Sequence, residues 1–260
     1  PSAPHPPFAS EYPYYVRYAD PAYGGESKFA MARLTEPFEI IRRQGEPREE
    51  LDLDQILALY DGCVAQFDDE VGRLLRHLED NALLENTLVV LYSDHGMEFF
   101  EHGTWGQGNS ALGDFSARVP LIVVDPAQPG GKRVEQVVRS VDIMPTLLEI
   151  VGAPSVGCDG VSLQPVIAEP DVDLHLKAFN ETGIWIAPPP GLPGGHLGYP
   201  NLLQLLDIPD DATGTLAIRE QYKQVVLVAK DRMVRDGPWK LVYQPLETGR
   251  RLTLYNVETD

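Results

Sequence analysis

The sequence predicts an α/β fold in which helices flank part of a mixed, largely parallel sheet, followed by a small antiparallel sheet. Three observations lead to this prediction. A helical pattern at 54–80 is followed by an apolar stretch at 87–92. A second apolar stretch at 119–124 precedes a helical pattern at 141–151. After Cys158 the sequence becomes rich in Pro and Gly and then contains short strand-like runs. Helix and strand therefore alternate in the first part, and short strands dominate the end.

The pattern at 54–80 predicts an amphipathic helix of about seven turns, because its apolar residues follow three- and four-residue steps. These residues are Ile56, Tyr60, Val64, Phe67, Val71, Leu74, Leu75 and Leu78. The stretch at 87–92, TLVVLY, is β-branched and too short for a helix, which is typical of a buried parallel strand.

The stretch VPLIVV at 119–124 predicts a second buried strand, and Ser140 is a candidate cap for the helix at 141–151. Residues 1–50 are rich in Pro, Gly and aromatic residues, so we expect irregular surface structure there, with one short helix near 28–34. We expect two domains, at 1–170 and 171–260.

The second domain begins with a Pro- and Gly-rich section that includes 187–195. Strand-like runs follow at 223–229, 232–235, 239–244 and 252–257, separated by turn residues. This spacing predicts the small antiparallel sheet.

Composition limits the partners. The formal net charge is −18, from 39 acidic and 21 basic residues, so a nucleic-acid role is excluded. An anionic substrate would need a local cation, such as a metal. No apolar stretch approaches the roughly 18 residues that cross a bilayer, which predicts a soluble protein. The sequence leaves the compartment open, and the bacterial cytoplasm or periplasm is the expectation. Cys63 fits the helical core pattern, and neither it nor Cys158 has metal-ligand spacing.

Ser93-Asp94-His95-Gly96 follows the first predicted strand, at a sheet edge where ligands bind in open α/β folds. A carboxylate beside an imidazole offers an oxygen and a nitrogen to one divalent cation, and the glycine lets the backbone turn. Two ligands are too few to hold a metal alone. The alternative is a buried aspartate that caps a turn, with a histidine packed beside it.

The stretch 97–110 combines His102 and Gln107 with closely spaced glycines, which indicates close backbone approach to a ligand or to another segment. A glycine-rich surface loop is the alternative. His5 lies in PHPPF, where prolines hold the backbone extended and fix the direction in which the imidazole points. The alternative is an ordinary surface histidine near a terminus.

Several ordered passages together resemble one family. LYDGCVAQFDDEVGRLLRHLED, TLVVLYSDHG and EHGTWGQG running into RVPLIVV are similar to sulfatases and to phosphonate monoester and phosphodiester hydrolases of the alkaline phosphatase superfamily. DIMPTLLEIVGAP, CDGVSLQPVI and PHPPF continue the resemblance, and RMVRDGPWKLVYQP with LYNVETD resembles the family's C-terminal subdomain.

The resemblance implies that Asp94 and His95 are ligands of a divalent metal (Ca, Mn or Mg) and that His5 assists at the leaving group or intermediate. A lysine that commonly contacts the substrate's oxygens falls at Gln107, which is uncharged, and His102 beside it could contact the substrate instead. It also implies a formylglycine made from C/S-x-P-x-R and two upstream aspartates, and no such signature occurs in this sequence.

We therefore expect the C-terminal portion of a hydrolase of small anionic sulfate, phosphate or phosphonate esters, inactive as an isolated chain. A phosphoryl-group transferase on the same scaffold and a non-catalytic sulfatase-like protein are the alternatives. An exposed apolar interface would lead the chain to self-associate, and sedimentation tests this.

Overall fold

The structure is a computed structural model that describes residues 4–28, 48–101, 103, 105–107, 113–128, 130–154, 157–184, 192–198, 200 and 202–259. In these ranges, no helix is both long enough and apolar enough to span a membrane.

Within the described ranges the helices are α1 (Tyr12–Tyr18), α2 (Leu53–Asp80), α3 (Asp114–Ala117), α4 (Ile143–Ile150), α5 (Gln164–Ala168), α6 (Leu202–Leu205) and α7 (Glu220–Ala229). The strands there are β1 (Val89–Tyr92), β2 (Met97–Phe99), β3 (Trp105–Gln107), β4 (Leu121–Val124), β5 (Lys177–Glu181), β6 (Leu206–Asp207), β7 (Ala217–Ile218), β8 (Arg232–Asp236), β9 (Trp239–Leu246) and β10 (Gly249–Asn256).

The long helix α2 confirms the predicted helix at 54–80. It begins after Asp52, whose carboxylate accepts a hydrogen bond from the Gln55 backbone N–H at 3.3 Å, an ordinary N-cap. Its first turns bury Ile56 and Leu59 in the core. Its second half exposes apolar side chains, with Leu74 55% accessible. The helix thus packs by its N-terminal half among the described residues.

The N-terminal segment is more ordered than the sequence indicated. Phe8 is buried against Tyr60 and Phe99, and α1 lies along α2, with the Tyr14 hydroxyl donating to Asp69 at 2.8 Å. The prediction of irregular structure was wrong at α1, because its aromatic and β-branched residues have modest helix propensity. The expected helix near 28–34 lies outside the described residues apart from Lys28, which ends a short 3₁₀ turn.

The two predicted apolar strands exist, but their predicted parallel, buried setting is wrong. β1 and β4 pair antiparallel, with Tyr92 opposite Leu121 and Val89 opposite Val124. Ile122 is 53% exposed. A short apolar run looks the same in either orientation. The described part of the connection contains the β2–β3 hairpin and the four-residue α3, and it has no long helix of the kind that usually links parallel strands.

The C-terminal part forms a four-stranded antiparallel sheet in the order β10-β9-β8-β5. The runs near 232–235, 239–244 and 252–257 are strands as predicted, whereas 223–229 lies in α7 and β5 was missed. The valines of α7 favour a strand on propensity, yet Val226 and Ala229, three residues apart, are buried on one helical face. Tertiary packing therefore overrides local preference.

A buried polar pair fixes the segment 192–198 to this sheet. His196 Nε2 lies 2.6 Å from Asp231 Oδ1, and both side chains are at most 3% exposed. The backbone N–H of Leu197 donates to Pro245 O at 3.0 Å, and that of Glu247 donates to Gly195 O at 2.8 Å. Several bonds therefore hold this segment to the sheet.

The predicted helix at 141–151 is present as α4, but Ser140 is not its cap. Ser140 begins a 3₁₀ turn, and fully buried Asp142 stands at the start of α4. The Asp142 carboxylate accepts bonds from the Arg139 guanidinium and from the Val161 N–H, and its hydrogen bond raises the pKa of Arg139. This carboxylate ties α4 to the segment that follows it.

Candidate metal and ester site

The Ser93–Gly96 loop leaves β1 and opens into a cleft of about 1210 Å³ bounded by α2, β2, α3 and the C-terminal sheet. His95 lines this cleft, and four acidic and two basic side chains line it too. These charged residues are Asp61, Asp94, Glu101, Asp114, Arg118 and Lys240. A lining richer in carboxylates than in cations favours the binding of a metal ion.

The structure brings Asp94 and His95 together. Asp94 Oδ2 lies 3.8 Å from His95 Nε2, and the Asp94 side chain is 84% exposed. The alternative of a buried, turn-capping aspartate therefore does not describe Asp94, although its other oxygen accepts the His95 backbone N–H at 3.0 Å. That bond fixes the carboxylate beside the imidazole.

The hydrogen bond of the other ring nitrogen suits His95 to metal binding. His95 Nδ1 lies 2.9 Å from Gly96 O. A carbonyl oxygen only accepts, so Nδ1 donates to it, and Nε2 is the ring nitrogen that lies near the Asp94 carboxylate. Two ligands at about 2.2 Å from one cation stand roughly 3.1–3.6 Å apart at ordinary angles. The observed separation is close to this range, so the pair fits two positions of one metal ion.

Among the described residues, no three His, Cys, Asp or Glu side chains gather closely enough to form a complete metal site. Among these residues Asp94 and His95 stand as a pair, and their role as ligands stays a prediction.

Gly96 is required by close packing. A Cβ built on it would lie 1.8 Å from the Phe115 carbonyl oxygen, and its N–H donates to Ser116 O at 2.9 Å. The sequence indicated a glycine that lets the chain turn. The structure shows a glycine that lets α3 approach the loop carrying Asp94 and His95.

The first residue of α3 joins this loop to the C-terminal sheet. Asp114 pairs with Lys240 at 3.0 Å and with Arg235 at 2.8 Å. Burial alone would raise the pKa of Asp114, but the hydrogen bonds and charges of the two cations outweigh it and lower that pKa. The carboxylate is therefore held ionised between two cations.

Arg118 is a cation that sequence reasoning missed. It is exposed, lines the cleft and makes no ion pair with any described residue. It directly follows α3, and its backbone N–H donates to Asp114 O at 2.7 Å. The signal was present in the sequence, because Arg118 directly precedes the predicted strand at 119–124.

Of the other predicted site residues, only His5 has a described side chain. His5 is exposed with its Nδ1 2.6 Å from Pro6 O, and it is absent from the described lining of the cleft, whereas its neighbour Pro4 belongs to it. Gln107 ends β3 opposite Met97, and nothing is described of its side chain. His102 lies outside the described residues.

The described helices and sheets, with an exposed Asp–His pair after a strand, make this an α/β protein. The family model described as Sulfatase matches residues 1–153. The chain belongs to the sulfatase family.

Its relatives include alkaline phosphatase superfamily proteins and arylsulfatases. It is 32% identical over 187 residues to the multifunctional alkaline phosphatase superfamily protein PehA of Trinickia caryophylli, covering 64% of this chain and 36% of that protein. It is 34% identical over 136 residues to arylsulfatase K of Homo sapiens, covering 52% of this chain and 25% of that protein. The chain thus spans only about a third or less of these relatives.

Solved structures share the fold. A phosphonate monoester hydrolase from Silicibacter pomeroyi superposes with a TM-score of 0.64 at 21% identity, over 99% of this chain and 49% of that one. A sulfatase structure from Bacteroides fragilis gives a TM-score of 0.64 at 17% identity, over 99% and 46%. These similarities support the expected fold, although the strand pairs of the described residues are antiparallel.

Proposed function

We propose that Asp94 and His95 supply two ligands to the divalent metal site of a hydrolase that cleaves sulfate, phosphate or phosphonate esters. The observation that carries this proposal is the pairing of an exposed carboxylate oxygen with an imidazole Nε2 lone pair at 3.8 Å, inside a wide cleft of a sulfatase-family chain. Either ligand type alone would be common on a protein surface.

The remaining ligands and the formylglycine nucleophile come, in this proposal, from residues other than these 260. The sequence has no C/S-x-P-x-R. The relatives are longer, since the chain covers 36% of PehA and 25% of human arylsulfatase K. A bound divalent cation (Ca, Mn or Mg) would polarise a non-bridging oxygen of the ester.

The chain's own residues have separate tasks in this scheme. The Gly96 carbonyl keeps the His95 proton on Nδ1, so that Nε2 stays available as a ligand. Arg118 presents a planar guanidinium, which suits the oxygens of sulfate and phosphonate groups. It supplies the cation that Gln107 lacks. His5 transfers a proton to or from the leaving group at the rim of the cleft, beside Pro4.

The substrate is a small anionic ester. The relatives named arylsulfatase favour a sulfate ester, and the phosphonate monoester hydrolase among the structural neighbours favours a phosphonate ester. Both groups present several anionic oxygens to the same cations, so one site can accept either.

A non-catalytic sulfatase-like protein is the second candidate. The uncharged Gln107, where a lysine is expected, favours it, because a site without that cation would bind a substrate anion less tightly. Turnover by the enzyme that carries this chain separates the two candidates.

The test replaces the two ligands singly in the enzyme that carries this chain. We expect Asp94→Asn and His95→Ala each to lower the bound metal, measured by plasma mass spectrometry, at least about tenfold. Hydrolysis of a nitrophenyl sulfate and of a phenyl phosphonate ester should fall with it. The control is the exposed ion pair of Asp173 and His175, where Asp173→Asn and His175→Ala should change neither quantity.

Full metal content in both Asp94→Asn and His95→Ala would overturn the ligand assignment. Metal-loaded wild type that hydrolyses neither ester would favour the non-catalytic candidate.

A further inference from the structure

The Asp114 carboxylate is a junction between the C-terminal sheet and the candidate metal site. Its two oxygens receive one cation each: Lys240 from β9 at 3.0 Å and Arg235 from β8 at 2.8 Å. Lys240 is 2% exposed, and an ammonium is rarely buried without a partner. The Lys240 charge is therefore tied to Asp114.

Asp114 sits at the start of a short rigid element. It begins α3, and its carbonyl accepts the Arg118 N–H at 2.7 Å, which closes the turn. Ser116 within this turn is 5% exposed. Fixing the Asp114 side chain therefore fixes the carbonyls of the next two residues.

Those two carbonyls hold the loop of the metal ligands. The Phe115 and Ser116 backbone lies against Gly96, with the Gly96 N–H donating to Ser116 O at 2.9 Å. Gly96 O in turn lies 2.9 Å from His95 Nδ1. An unbroken series of contacts thus runs from the Lys240 ammonium to the His95 imidazole.

We propose that Asp114 is a positioning residue: clamped by Lys240 and Arg235, it holds α3 against Gly96 and thereby sets the orientation of His95. This inference rests on the proposed function for its consequence at the metal, but its local effect on Gly96 can be measured without any metal. It also gives the C-terminal sheet a role in the site, although none of the proposed metal ligands lies on that sheet.

The experiment compares Asp114→Asn and Lys240→Met with the control Lys177→Met. Lys177 is a half-exposed lysine of the same sheet that pairs with Asp236 away from the cleft. Amide hydrogen exchange of Gly96, followed by NMR on this chain, reports the contact with α3. The dissociation constant for Mn²⁺, measured in the enzyme that carries the chain, reports the ligands.

We expect both cleft variants to speed Gly96 exchange and to weaken Mn²⁺ binding by about tenfold each, the usual scale for outer partners of metal ligands. Lys177→Met should alter neither. Asp114→Glu, which restores the charge, should recover most of the Mn²⁺ affinity. If Asp114→Asn fails to fold, Lys240→Arg keeps the charge but changes the geometry, and it should show a smaller change in the same direction.

Two results separate a failure of the positioning role of Asp114 from a failure of the proposed function. Lower thermal stability with unchanged Gly96 exchange and unchanged Mn²⁺ affinity would make the cluster merely structural and overturn the positioning role. Unchanged Mn²⁺ affinity in Asp94→Asn itself would overturn the proposed function, and Gly96 exchange would still decide whether Asp114 holds the loop.

Discussion

Replacing Gly96 with alanine tests the close packing on which the site depends. The new Cβ would lie 1.8 Å from Phe115 O and 3.2 Å from Ser116 Cα. An ordinary carbon–oxygen contact is about 3.3–3.6 Å, so α3 and the loop must separate by roughly 1.5 Å. That shift is large enough to break the 2.9 Å hydrogen bond from Gly96 N–H to Ser116 O.

The expected cost combines three effects. Loss of the hydrogen bond costs about 1 kcal/mol, and overpacking adds about 1–3 kcal/mol. The lower entropy of the unfolded alanine chain offsets about 0.4–1 kcal/mol. We therefore expect a loss of about 2–3 kcal/mol, which for a chain of this size lowers Tm by roughly 5–10 °C.

The assay is differential scanning calorimetry of Gly96→Ala beside Gly24→Ala. A Cβ at Gly24 would meet nothing within 4 Å, so the control should keep its Tm or gain slightly. A Gly96→Ala protein that melts within about 1 °C of wild type would refute the reasoning, because the Phe115 carbonyl could then not lie against this residue.

Three further predictions follow from the charged groups. Arg118→Gln should raise KM for an anionic ester about tenfold, whereas exposed Arg250→Gln on β10 should not; equal KM values would remove Arg118 from the substrate site. His196→Ala should lower the free energy of unfolding, measured by urea denaturation, by about 3 kcal/mol, because it removes the imidazole partner of the buried Asp231 carboxylate. His175→Ala, in an exposed pair, should lower it by under about 0.5 kcal/mol. Because the pKa of Asp114 is lowered, its stabilisation is complete above the ordinary carboxylate value of about 4 and is lost at lower pH. The stability difference between wild type and Asp114→Asn should shrink below that pH, and a constant difference would contradict it.

Elements with a strong period were predictable from the sequence. The three- and four-residue apolar steps predicted the bounds of α2 closely, because one helical face must be buried. The strands near 232–235, 239–244 and 252–257 were predictable from β-branched runs between turn residues. In both cases local pattern and tertiary environment favour the same conformation.

The direction of β1 and β4 and the helical conformation of 223–229 were not predictable from the sequence. A run such as LIVV at 121–124 has the same composition in either orientation, and its partner is set by how the connection folds. The run QVVLV has strand propensity, but its position above the sheet buries one face at helical spacing. Both failures arise where long-range packing decides between local alternatives.

The candidate site was predictable where its residues are adjacent. Asp94 and His95 are neighbours in sequence, so their pairing follows from the motif. The Asp114 junction joins residues more than 120 positions apart, at hydrogen-bond distances of 2.8 and 3.0 Å. No local pattern relates an aspartate before RVPLIVV to a lysine in WKLVYQ, so only the fold reveals that they meet.

The acidic surface of the chain is compatible with the proposed anionic substrate. Repulsion by the surface charges and attraction by cations in the cleft act over different distances. Surface charges are screened over about 8 Å at physiological salt. At about 4 Å near a protein surface, a single opposite charge contributes about 4 kcal/mol. In the proposed function, the carboxylates of the cleft would favour a divalent cation at Asp94 and His95. That cation and Arg118 would then present positive charge to the substrate at short range, where the distant acidic surface has little influence. In this view the net charge of −18 favours the metal ion that makes binding of an anion possible, and a loss of Asp94 should weaken substrate binding even though it removes a negative charge.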